Sequence, residues 1–255
     1  MFNRNFRSVR TPRTFNSRLR SPLTAFRGGV KRRPYMAMRK LNFERVERPL
    51  GYNVLVERQH GTHMALSNNH DSTSFVGFPI RGINGDGRSR DYIKLMHLSV
   101  SGVLNVTPTQ GDRPMEGTDK LSGLFVISIL LDRKPFLPDG VNQLPSYAEL
   151  FGPYSSAYGN QQLLDVHKQR FRILGCVKKF VTCNGGASFA PFKLNVKLSH
   201  NRFPLWAAFK DVDPGNCGGN YKNIAKNAIL VSYAFVGMDS LKVEPFVQFE
   251  FKYLP

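Results

Sequence analysis

Acidic residues are absent from the first 43 positions of this 255-residue chain, which contain neither Asp nor Glu. Cysteine is scarce, at Cys176, Cys183 and Cys217 only. An odd, sparse set excludes a secreted disulfide framework and fits a reducing nucleus or cytosol. Long hydrophobic runs are missing too. The longest, LFVISILL from Leu124 to Leu131, falls well short of the ~20 residues a membrane-spanning helix needs. The residues after Met1 are rich in Arg and Asn and form no apolar leader, so membrane association is expected only peripherally and through partners. There is no GxGxxG after a strand, no Walker loop, no GxSxG and no carboxylate pair placed for acid–base work. No catalytic residue and no cofactor is expected, and the chain does not read as an enzyme.

What fills the acid-free segment is positive charge. Arg4, Arg7, Arg10, Arg13, Arg18, Arg20, Arg27, Lys31, Arg32, Arg33, Arg39 and Lys40 make 12 cations. The whole chain has 36 − 18 = +18, so the segment holds +12 and the rest, 24 − 18, holds +6. Such a block repels itself and buries little, so residues 1–48 are expected to form a disordered basic arm. Each cation can meet a phosphate, and Phe2, Phe6, Phe15, Phe26 and Tyr35 are interleaved where bases could stack. A polyanion is the natural partner of a chain with a pI near 10.1. Lys31, Arg32 and Arg33 in KRRP, with Arg18 and Arg20 upstream, also have the form of a nuclear import signal.

From residue 49 onward, short apolar or alternating runs are separated by Gly, Pro, Asn and Asp. Strands are expected at 74–80, 92–106, 121–131, 171–182, 192–198, 228–236 and 243–253. FVQFEFKYL alternates with period two, and ILVSYAFV is rich in β-branched and aromatic residues. YAELFG and NQQLLDVHKQR read as short helices, and LNFERVERPLGYNVLVERQ as a hinge. The expected fold for 49–255 is all-β, a single jelly-roll-like antiparallel sandwich.

Three extended blocks carry a family resemblance: SRDYIKLMHLSVSG, LDRKPFLPDG followed by YAELFG, and FPLWAAFKDVDPGNCGGNYKNIAKNAILVSYAFV. In the order and extent of these blocks, the chain resembles the nuclear shuttle proteins of bipartite begomoviruses, a family related to the geminivirus coat protein. The resemblance implies a jelly-roll fold and binding of viral single-stranded DNA, and of duplex DNA without sequence preference. It also implies traffic between host nucleus and cytoplasm and hand-over to the viral movement protein at the host cell membrane. Host import and export receptors, and host kinases or an acetyltransferase, are the further partners it implies. The alternative is a coat protein encapsidating single-stranded DNA. That rival would be expected to carry Cys and His near the arm, and the first Cys here is Cys176. A cellular RNA-binding module would need an aromatic RNP signature, and none is visible.

The remaining candidates are weaker. Arg81, Arg88, Arg90 and Lys94 in RGINGDGRSRDYIK lie where the family carries a second import signal, on a Gly-rich loop that would let the two central arginines approach a polyanion. Phe189, Phe192, Val196 and Leu198 have export-signal spacing where the resemblance places export, yet the same alternation suits an amphipathic strand. His60, His63 and His70 cluster with only Asp71 nearby, too few donors for zinc, so no metal is expected. Trp206 could stack a base, but within an apolar run it is assigned to the core.

Overall fold

The computed structural model describes residues 51–61, 64–82, 87–109, 121–138, 143–184, 186–200, 202–212, 217–237 and 241–255. The arm expected at 1–48, with every cation assigned to it, lies outside the described residues, as does His63.

Among the described residues, ten strands form two antiparallel sheets: β1 (Asn53–Gln59), β2 (His70–Phe75), β3 (Tyr92–Pro108), β4 (Leu121–Asp132), β5 (Phe171–Cys183), β6 (Ser188–Lys197), β7 (Leu205–Phe209), β8 (Ile224–Lys226), β9 (Ala228–Gly237) and β10 (Leu241–Leu254). The first sheet runs β1–β10–β3–β7–β8, with β6 also paired to β3; the second runs β2–β9–β4–β5. Setting aside β7 and β8, an insertion between β6 and β9, eight strands remain. The first of these pairs with the last, β1 with β10, and the pairs β2–β9, β3–β6 and β4–β5 nest inside it. That nested antiparallel pairing is the jelly roll.

The two sheets are not equivalent. Alternation in β3 and β10 buries one face of the first sheet and leaves the other to solvent. In the second sheet, β4 from Gly123 and β9 through Val236 are buried on both faces. Their inner face meets the first sheet, as where Phe125 packs on Phe192 with ring centroids 6.1 Å apart. Their outer face is covered by the segment after β4. There α1 (Tyr147–Phe151) starts from a capping box in which Ser146 and Glu149 satisfy each other's backbone N–H. Gln161 Nε2 then donates to Ser128 Oγ at 3.1 Å, in the middle of β4. This explains why LFVISILL and ILVSYAFV read as continuous apolar runs. Each fully buried Leu, Ile or Phe there contributes about 1.5–3 kcal/mol.

Docking onto the sheet also overrides the helix expected for NQQLLDVHKQR. Gln161 and Leu163 are buried in irregular chain, and only Asp165–His167 forms a 3-10 turn there. The expected hinge conceals β1, whose parity is inverted: Val54 and Val56 face solvent, while Glu57 turns inward to accept from Gly77 N at 2.7 Å. The strand expected at 74–80 is displaced to β2, a polar run that pairs with β9. Its Asp71 accepts from Tyr147 N at 2.7 Å and Tyr154 Oη at 2.5 Å, so the covering segment satisfies the strand's charge.

Two other sequence blocks meet at a buried carboxylate. Asp132 of LDRKP accepts from Tyr221 Oη at 2.5 Å, from Arg170 Nη2 at 2.9 Å and from Lys134 N at 3.0 Å. Beside it, Gly219 N-terminal to Tyr221 admits no side chain: a Cβ there would lie 1.6 Å from the Phe78 carbonyl oxygen. Arg170→Ala removes the charge partner of a fully buried carboxylate and is expected to destabilise by about 3 kcal/mol. A urea unfolding curve that does not move would disprove this role for Arg170.

Candidate nucleic-acid interface

The basic cluster 81–94 divides in two. Arg88 is 0% exposed. Its backbone is fixed by N–H donation to the Ile80 carbonyl at 3.0 Å and by its carbonyl accepting from Gly82 N at 3.2 Å. Nη1 donates to Asp211 Oδ2 at 2.6 Å and the Arg90 carbonyl at 3.0 Å; Nη2 donates to Asp211 Oδ1 at 2.5 Å and the Cys217 carbonyl at 3.3 Å. The guanidinium carbon stands 3.7 Å over the Phe209 ring. A guanidinium enclosed this way has nothing to offer a phosphate or a receptor, so the expectation that Arg88 approaches a polyanion is corrected. Arg81, half exposed, is shared between Asp91 at 3.0 Å and Asp211 at 3.5 Å.

Asp211 adopts a left-handed backbone, φ 42°, which Asp tolerates better than most residues. The bonds from Arg88 hold its carboxyl below the usual carboxylate range, against the desolvation that pushes it up, and Asn223 Nδ2 adds a donor at 2.9 Å. A depressed folded-state pKa contributes stability above the unfolded value, about 3.9, and that stability is lost as pH falls through the folded value.

Arg90 and Lys94 behave differently. They bracket Tyr92 on the solvent face of β3, where alternation sends Ile93 and Leu95 inward. Across the ladder, Lys94 pairs with Trp206 and Tyr92 with Ala208 of β7. Trp206, expected in the core, is 43% exposed, and Tyr92 is 41% exposed. The cause is parity: Leu205, Ala207 and Phe209 turn inward, so Trp206 and Ala208 turn out. The two rings meet edge to face with centroids 5.5 Å apart. Lys94 Nζ lies 6.0 Å from the Trp206 ring, Arg90 Cζ 5.7 Å from the Tyr92 ring, and Arg90 Nη1 donates to Tyr92 Oη at 2.9 Å. Neither cation has an ion-pair partner among the described residues. The sequence signal was present, since Arg90, Tyr92 and Lys94 alternate with period two, but no spacing rule links them to Trp206.

The export candidates are also divided by parity. Phe192 and Val196 of β6, and Leu198 just beyond it, are buried in the sandwich; only Phe189 faces out, 69% exposed. The four therefore form no common surface in the folded domain, and the export assignment for this set is corrected. His60 stacks on Phe246 at 6.0 Å, and His70 opens β2 in register with Phe235. Among the described residues no group of three His, Cys, Asp or Glu gathers to hold a metal ion. Cys176 and Cys183 both lie on β5 and are free, and burial raises the Cys176 thiol pKa.

The profile of the geminivirus coat protein/nuclear export factor BR1 family matches residues 4–254, nearly the whole chain. The chain belongs to that family. By its description this is a family of coat proteins and nuclear export factors, not of enzymes. The chain is 51% identical over 216 residues to a nuclear shuttle protein of African cassava mosaic virus (isolate West Kenyan 844), covering 85% of this chain and 84% of that one. It is 49% identical to the nuclear shuttle protein of the Nigerian isolate, with 95% of each chain covered. The nuclear shuttle protein of squash leaf curl virus is 32% identical over 231 residues, covering 90% of this chain and 88% of that one. Within this family member, the blocks that carried the resemblance supply Asp132, Asp211 and Tyr221, all of which hold the fold together.

Arg88→Ala strands the Asp211 carboxylate and is expected to destabilise by about 3–5 kcal/mol at neutral pH, whereas Arg81→Ala should stay within about 0.5 kcal/mol. Asp211→Asn should remove the part of the stability that fades below about pH 4. Thermal melts across pH read both effects, and equal losses for the two arginines would contradict the burial argument. Leu198→Ala is expected to cost about 2–5 kcal/mol as a core truncation; a melt unchanged from the parent would return Leu198 to the surface.

Proposed function

We propose that this chain is a viral nuclear shuttle protein. It binds viral single-stranded DNA, and duplex DNA without sequence preference, and carries it between the host nucleus and cytoplasm. Hand-over to the movement protein at the cell periphery then permits spread from cell to cell. One observation carries the reading: an acid-free stretch of 43 residues with 12 cations stands on a chain about half identical to proteins named nuclear shuttle protein. Arg and Lys displace condensed counterions from the phosphate backbone, giving affinity without base readout. Lys31, Arg32 and Arg33 on the same segment suit the acidic groove of an import receptor. Exit requires host export receptors, and the movement protein supplies the contact with the cell membrane. Duties are thus split, with charge on the arm and hand-over surfaces on the folded domain.

If the arm dominates affinity, the logarithmic salt dependence should steepen by about 0.7 for every arm cation engaged with single-stranded DNA. Removing residues 1–40 should flatten that slope and weaken all sequences alike. Replacing Lys31, Arg32 and Arg33 with Ala in a fusion too large to diffuse through nuclear pores should shift it toward the cytoplasm. An unchanged slope would take the arm out of the binding site, and undiminished nuclear accumulation would take these three residues out of the import signal. Electron microscopy of the protein with DNA separates a carrier from a coat, which would assemble particles.

A further inference from the structure

We infer that the exposed face where β3 meets β7 is a second DNA-binding site, one that stacks the unpaired bases of single-stranded DNA on Trp206 and Tyr92. The inference rests on the DNA-binding reading above and assigns to it a place on the folded domain. Stacking needs a rigid aromatic face open to solvent, and cations beside it to hold the neighbouring phosphates. Trp206 and Tyr92 are fixed on adjacent paired strands, brace each other edge to face, and keep more than 40% of their surface open. Lys94 and Arg90 stand 6.0 and 5.7 Å from the two rings. Arg88, by contrast, is pressed onto Phe209 at 3.7 Å and seals that ring.

The surroundings extend the site. At Met96 the register of β3 slips by one residue against β10, so His97 faces out like Lys94, flanked by Lys252 on β10 and Lys197 on β6. Lys252 is tied to Glu250 at 3.1 Å. Lys197 has no ion-pair partner among the described residues. A strand stacked on Trp206 would therefore find cations on both sides of the bulge for its phosphates. Duplex DNA keeps its bases stacked on one another and can use the cations only, so the site selects single strands.

Trp206 is the only tryptophan in the chain, so its fluorescence reports this site alone. The test uses the full-length protein with three probes of equal length: oligodeoxythymidylate, an abasic strand and a duplex. All three should bind at low salt by anisotropy, while only oligodeoxythymidylate quenches the tryptophan. Trp206→Ala should weaken oligodeoxythymidylate about tenfold, the equivalent of about 1.4 kcal/mol for one stacked base, and leave the abasic strand unchanged. Trp206→Phe should recover most of the loss. Lys94→Gln should make the salt slope shallower by about 0.7 without abolishing quenching. Binding of oligodeoxythymidylate without quenching, or equal quenching by the duplex, overturns the stacking site while leaving DNA binding intact. Failure of every strand to bind at low salt overturns the site and the DNA-binding reading together.

Discussion

The covering of one sheet constrains everything else in this domain. Gln161, Tyr154 and Tyr147 pin the segment after β4 across the outer face of β2, β9, β4 and β5, through Ser128 and Asp71. The sheet's central strands β9 and β4, buried on both faces, have no surface to give to a ligand. What is left for partners in the described part of the domain is the exposed side chains of β5, such as Arg172 and Phe180, the loops, and the outer face of the other sheet. That outer face is where Tyr92, Lys94 and Trp206 emerge, together with the apolar row of Phe246, Val103 and Pro191 in register across β10, β3 and β6. The insertion β7–β8 widens the same sheet and brings the tryptophan to it.

Buried carboxylates lock the frame on which that face depends. Asp132 joins the end of β4 to Arg170 and Tyr221, and Asp211 joins the end of β7 to Arg88. Each carboxylate holds distant segments in one geometry, because a charge in the interior tolerates little displacement from its partner. The second lock sits one turn of chain before Arg90 and Tyr92. It thereby sets where β3 begins and which side chains of that strand face out. Charge in this protein is thus put to two uses, structural where acids and arginines are paired in the interior, and available where cations stand unpaired among aromatics.

Much of the architecture was legible in the sequence. Strong alternation or long β-branched runs located β3, β4, β5, β9 and β10 to within a residue or two, and the start of α1 is written in Ser146 and Glu149. Weaker strands escaped for physical reasons. β1 exposes its valines and turns its half-buried glutamate inward, so its pattern points the wrong way. β8 is three residues long, too short for any periodicity. The helix expected after Gly159 was lost because docking Gln161 and Leu163 onto the sheet outweighs a local preference for helix.

The functional face was less legible. The sequence by itself determined the family, the all-β class and the concentration of +12 in the acid-free first 43 residues, because these depend on composition, on local alternation and on long blocks of residues. Tertiary structure alone decided which members of each candidate group are accessible. Within RGINGDGRSRDYIK it buried Arg88 and freed Arg90 and Lys94; within FAPFKLNVKL it buried Phe192 and Val196 and freed Phe189; and it turned Trp206 outward from a uniformly apolar run. Period two gives two faces to every strand, but which face meets the core is set by pairing with strands more than a hundred residues away, and no local pattern carries that information.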